Sequence, residues 1–198
     1  MTASTDHSPE VPLHPVEMHI YRPTDPVEVP VVKNELCTGK KAAGVVRHIE
    51  LDVTGTQLAG RVSPGQSIGV LAEGLDHHGK PHKLRLYSVA HPTGGEDGQG
   101  NIISTTVKRS IDEHWDNHKL FLGVCSNYLC DRQVGDKIRI SGPNGKKFVL
   151  PQNPGNYDYM FFATGTGIAP FRGMLIDLLR SHPSSKVALV MGSPYSTD

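Results

Sequence analysis

The chain has 198 residues, 20 Lys+Arg against 20 Asp+Glu, and a formal net charge of zero. Hydrophobic residues make up 37% and charged residues 20%, a globular balance without the basic excess that binding nucleic acid requires. No apolar run approaches the ~20 residues of a spanning helix, and the polar start from Met1 to Pro15 lacks the apolar core of a secretory signal.

Residues 1–26 are proline-rich and acidic in balance, which predicts a loosely packed arm. From Val27 to Val149, short β-rich runs alternate with turns. Strands are predicted at 27–36, 45–54, 67–72, 84–90, 101–107, 137–141 and 147–150, with one short helix at 126–133. Turns such as Ser63-Pro64-Gly65 and Gly142-Pro143-Asn144-Gly145 separate them. Many short strands without a long helical period predict an antiparallel barrel or sandwich.

After Pro151-Gln152-Asn153-Pro154-Gly155, which reads as a linker, the pattern changes. Tyr159–Ala163 predicts a short strand. Phe171, Met174, Leu175, Leu178 and Leu179 then recur at the spacing of an amphipathic helix. Lys186–Met191 predicts a second strand, continuous enough in apolar residues to be buried on both faces. This is one β-α-β unit, the opening of a parallel nucleotide-binding sheet. One such unit cannot cover its sheet, so the chain is expected to continue beyond Asp198.

Four segments carry candidate chemistry. Gly165-Thr166-Gly167-Ile168-Ala169-Pro170 follows a strand and opens a helix, where backbone N–H groups and the helix dipole favour an anion. The same glycines also suit plain strand–helix packing. Arg85-Leu86-Tyr87-Ser88 lies in a strand whose alternation separates Arg85 and Tyr87 from Leu86 and Ser88. Tyr87 offers either a packed ring or a stacking surface, and Arg85 a phosphate clamp. In Gly123-Val124-Cys125-Ser126-Asn127-Tyr128-Leu129-Cys130, Ser126 or Asn127 is expected to cap a helix. Thr105-Thr106-Val107-Lys108-Arg109 ends a strand on two cations, which are either solvated or in contact with phosphate.

Cys37, Cys125 and Cys130 are three in number with no CxxC pair, so a reduced, cytoplasmic setting is expected and no metal site. Cys125 and Cys130 read as small buried apolar residues. Among the eleven histidines, His77, His78 and His82 fall in a turn-rich stretch and read as polar loop residues rather than ligands. Together the segments suggest a flavin on the barrel and a second nucleotide in the sheet.

From about Val27 to Met191 the chain resembles plant-type ferredoxin–NADP⁺ reductases. The resemblance rests on 65–70, on 79–88 with its Arg-x-Tyr-Ser, on 123–131, on 142–146 and on 165–172; the Gly-Val-Cys-Ser-Asn-Tyr-Leu-Cys stretch is the most specific. It implies an antiparallel Greek-key FAD-binding β-barrel at 27–154 followed by the first β-α-β unit of a Rossmann-like NADP-binding domain at 155–198. By similarity Tyr87 stacks on the isoalloxazine, Ser88 acts near flavin N5 and Arg85 clamps the FAD pyrophosphate. Leu86, Thr106, Val107, Lys108, Val124, Cys125, Ser126 and Thr166 complete the FAD set. Ser88, Lys108, Gly165, Thr166 and Gly167 would meet NADP(H). The implied reaction passes electrons between NADP(H) and ferredoxin or a similar one-electron carrier. Cations such as Lys40, Lys41 or Lys83 are either plainly solvated or paired with an acidic carrier. The alternatives are a reductase component of an oxygenase or epoxidase system, and a flavin-binding module without reductase activity. The family's adenine-stacking tyrosine has no counterpart; Trp115 lies in that region.

Overall fold

The computed structural model describes residues 10–193. The first nine residues of the arm and the last five of the chain lie outside them. Six strands form one antiparallel sheet in the order β4-β3-β8-β1-β2-β5. They are β1 (Val27–Leu36), β2 (Val46–Asp52), β3 (Ser67–Leu71), β4 (Arg85–Ser88), β5 (Ile102–Lys108) and β8 (Lys137–Asn144). A short hairpin of β6 (Ile111–Glu113) and β7 (Leu120–Leu122) and helix α1 (Val124–Cys130) lie between β5 and β8.

Strand β1 shows how the sheet curls. Val27–Pro30 pair with β8, and from Val31 onward the partner is β2, with a register shift between Val31 and Lys33. Pro30 has no N–H to give and falls where the β8 ladder ends, a position proline tolerates. The irregularity bends the strand between its two partners. Inward-facing Val29, Val31, Ile49, Leu51, Ile68, Val70, Ile138 and Ile140 then fill one fully buried core. The outer strands β4 and β5 touch at the isolated Val89–Thr105 bridge, without a continuous ladder closing the barrel.

The second layer is β9 (Tyr159–Thr164), a 3₁₀ turn at Gly165–Ile168, α2 (Ala169–Ser181) and β10 (Val187–Gly192). Strands β9 and β10 pair in parallel, so the expected β-α-β unit is present. Met174 and Leu178 of α2 pack on Phe161 of β9 in a small core of their own.

Several expectations are corrected. Residues 147–150 form no strand; Leu150 and Pro151 bond instead to the N-terminal arm through His14 N–H and the Leu13–Pro151 bridge. That arm is not loose from Pro12 onward. Tyr21 exchanges two backbone hydrogen bonds with Gly142, and buried Gln66 donates to Glu17 O at 2.8 Å and Gly145 O at 3.0 Å. Helix α1 begins two residues earlier than expected. Leu179 is exposed, and β10 is not buried on both faces: Val190 is 51% and Met191 44% exposed, and among the described residues β10 has only β9 as a strand partner.

Candidate functional site

Two surfaces meet along the seam between β4 and β5. On the first, β4 leaves Arg85, Leu86 and Ser88 exposed, while the Tyr87 ring is half-buried against the barrel core. Pairing with β3 fixes the register, with Tyr87 opposite Ile68 and Ser88 opposite Ser67. Burial pushes the Tyr87 phenol up, and the Cys125 thiol beside it adds to the shift, so the phenol stays protonated. The Arg85 guanidinium makes one long contact, 3.4 Å to Leu84 O, and is otherwise available to an anion.

Helix α1 borders this surface. Gly123 is its N-cap and no side chain caps it. The expected capping by Ser126 or Asn127 does not occur, because both side chains reach back to carbonyls. Ser126 Oγ donates to Gly123 O at 3.1 Å, and Asn127 Nδ2 donates to Gly123 O at 2.8 Å. Val124 is exposed, Cys125 and Ser126 are buried. Burial pushes the Cys125 and Cys130 thiols up, which keeps them protonated and fits their reading as apolar filler.

The second surface is a cleft of about 510 Å³, a size common for ligand sites. Its walls include Cys37, Thr106, Lys108, Gly165 and Thr166. Gly165 has φ +49°, and a Cβ at Gly165 or Gly167 would meet nothing within 4 Å, so the turn presents bare backbone to open space. Of the β5 pair, Lys108 reaches the cleft. Arg109 does not: it is held by Asn127 Oδ1 at 2.8 Å and by Asp131, so it is a structural cation. The Val107 side chain is buried in the core, leaving only its backbone for a ligand. Thr105 Oγ1 donates to Ser88 O at 2.8 Å, which ties the two surfaces together.

A charged network that the sequence did not reveal also lines this cleft. Glu96 accepts from Arg172 Nη1 at 2.6 Å and Nη2 at 3.1 Å, and from Ser104 Oγ at 2.6 Å. His48 Nε2 stands 3.5 Å from Glu96 and 3.6 Å from Glu50, and Lys33 pairs with Glu50 at 3.2 Å. The ligand atoms of His48, Glu50 and Glu96 lie within 4.8 Å of one another, but Arg172 and Lys33 already neutralise both carboxylates. His77 and His78 are exposed in a turn closed by Asp76, whose carboxylate accepts from His78 N and Lys80 N at 2.9 Å.

Burial alone would raise the Glu96 carboxyl, but hydrogen bonds from His48, Arg172 and Ser104 hold it far below its usual value. A carboxylate depressed in the folded state stabilises above its unfolded pKa of about 4.3 and loses that contribution as pH falls through the folded value. The Tm is therefore expected to fall as pH drops below about 4, and Glu96→Gln to flatten part of that fall. Identical acid limbs for both proteins in a calorimetric pH series would remove Glu96 from the effect.

No family model matches the chain. It is 41% identical over 160 residues to the ferredoxin–NADP reductase of Thermosynechococcus vestitus, covering 81% of this chain and 41% of that protein. It is 37% identical over 186 residues to the ferredoxin–NADP reductase of Spirulina sp, covering 91% of this chain and 62% of that one. A chloroplastic leaf isozyme from Arabidopsis thaliana is 43% identical over 155 residues, covering 78% of this chain and 42% of the isozyme. The chain thus spans about half the length of the curated relatives it matches. In structure it superposes on a ferredoxin-NADP⁺ reductase from Plasmodium falciparum with a TM-score of 0.73 at 21% identity, covering 90% of this chain and 63% of that one.

Proposed function

We propose that this chain, a homologue of the ferredoxin–NADP⁺ reductases over most of its own length, binds FAD against β4 and α1, takes NADP(H) at the Gly165–Ile168 turn, and passes electrons between NADP(H) and ferredoxin. The observation that carries this reading is the seam. The open glycine turn shares one cleft with Thr106 and Lys108 of β5. Thr105 of the same strand bonds to Ser88 at the end of β4, whose Arg85, Leu86 and Ser88 are exposed beside a half-buried Tyr87.

The donor set fits both groups. Arg85 has a free guanidinium for a pyrophosphate, and the Tyr87 ring offers a flat face fixed by the core beneath it. Leu86, Val124, Cys125, Ser126, Thr106 and the Val107 backbone would complete the FAD surface. Ser88, on the exposed side of β4, would donate toward the flavin N5 edge. Lys108 and the bare N–H groups of Gly165, Thr166 and Gly167 suit the phosphates of NADP(H). When bound, the flavin supplies the chemistry, accepting a hydride and releasing electrons singly. The protein's part is to hold the nicotinamide against the flavin and to keep water from between them. Exposed Lys40, Lys41 and Lys83 would meet an acidic carrier such as ferredoxin.

Residues 27–154 form the flavin unit and 155–198 the start of the NADP unit in this reading. No helix among the described residues is long and apolar enough to cross a membrane. Three thiols without disulfides support a reducing compartment such as the cytoplasm.

The full-length protein, purified with FAD, is expected to show a flavin band near ~450 nm that NADPH bleaches without oxygen, and to reduce ferredoxin. A protein that takes up no added FAD overturns the proposal. One that binds FAD but is not bleached by NADPH leaves only a flavin-binding module.

A further inference from the structure

Helix α2 meets the barrel along one face, and the contacts are specific. Arg172 donates to Ala90 O at 2.8 Å and grips Glu96 with both terminal nitrogens. Glu96 is itself braced by Ser104 Oγ at 2.6 Å, and its N–H donates to Ile102 O at 2.8 Å. One turn further along, Asp177 accepts from Thr93 N–H at 3.0 Å and from Thr93 Oγ1 at 2.8 Å. The three barrel residues that α2 itself touches through these bonds, Ala90, Thr93 and Glu96, all belong to the segment between β4 and β5.

The placement of this grip matters more than its strength. Ala90 lies just past Ser88 on the strand proposed to carry the flavin. Arg172 lies in the first turn of the helix that grows out of the proposed nicotinamide turn. The ion pair is therefore a short mechanical path between the two nucleotide surfaces. The Glu96 side chain is 16% exposed and the Arg172 side chain 40%, so water reaches the pair mostly from the arginine side. A two-pronged guanidinium–carboxylate contact fixes an angle as well as a distance, which a single point charge cannot do.

We infer, on the functional reading given above, that Arg172 and Glu96 are positioning residues of the electron transfer: their fork sets the distance and tilt between a nicotinamide at Gly165–Gly167 and a flavin on Tyr87–Ser88. Neither touches the reacting atoms. Loosening the fork leaves each nucleotide's own contacts in place and spoils only their mutual geometry. That loss shows in the rate of hydride transfer, not in the affinity for either nucleotide. Ser104 holds Glu96 from behind and belongs to the same device.

The test uses Arg172→Lys, which keeps the charge and loses the fork, and Glu96→Gln, which keeps the shape and loses the charge. Both are made in the FAD-loaded full-length protein. Flavin reduction at saturating NADPH, followed by stopped flow, is expected to slow about 10- to 100-fold. Affinities for FAD and NADP⁺ are expected to stay within about threefold of wild type. In the apoprotein, amide exchange over residues 164–168 is expected to quicken. Ser104→Ala, which removes one brace, is expected to give an intermediate slowing. A wild type that is bleached by NADPH beside variants bleached equally fast, with only a lowered Tm, reduces the fork to a stabilising ion pair and overturns the inference alone. A wild type that binds FAD and is not bleached overturns the reductase reading, and this inference with it.

Discussion

Gly173→Ala is expected to unseat helix α2 from the barrel. A Cβ at that position would stand 2.0 Å from His91 O and 2.8 Å from its carbonyl carbon. Both are backbone atoms, so no side-chain rotation relieves the clash. Nor can the loop easily retreat. His91 is 1% exposed, and Ala90 before it and Thr93 two residues after it are bonded to Arg172 and Asp177. Overpacking of this kind costs up to about 3 kcal/mol, which for a chain of this length lowers the Tm by roughly 6–12 °C. Thermal unfolding followed by circular dichroism checks it. A Tm equal to wild type would mean that α2 and the loop are not in the close contact described.

Tyr87→Ala is expected to have the largest effect on the cofactor. The ring is half-buried against the core, so its loss removes packing as well as a stacking face and costs about 2 kcal/mol of stability. Stacking adds roughly 0.5–1.5 kcal/mol beyond the area covered, so the affinity for FAD is expected to fall about tenfold or more. Tyr87→Phe keeps the ring and is expected to keep most of that affinity. FAD titration of the apoproteins reads both. If the alanine variant binds FAD as tightly as wild type with an unchanged visible spectrum, β4 is not the flavin surface.

Local patterns carried much of this fold. Strand β1 coincides with its predicted bounds, and Met174 and Leu178 of α2 are buried as their spacing requires, because periodicity along one element reports which face meets the core. The glycine turn after β9 and the exposed ends of the Arg-x-Tyr-Ser strand lie where their local patterns put them, at a strand–helix junction and along a strand. What failed depended on partners elsewhere in the chain. Residues 147–150 have strand-like composition, yet no strand lies beside them and the arm takes their hydrogen bonds instead. Capping by Ser126 or Asn127 failed because each side chain found a nearby carbonyl to donate to. The β6–β7 hairpin escaped notice because each strand is three residues long, too short for a period to register. Glu96 and Arg172 lie 76 residues apart, and neither segment hints at the other.

The hairpin has one more consequence. Its tip carries Trp115, which is 95% exposed and the only tryptophan in the chain. Ultraviolet emission from this chain therefore comes almost wholly from one indole in water. Unfolding barely changes the surroundings of that indole, so its glow is a poor gauge of stability. It is well placed to register anything that settles on the hairpin.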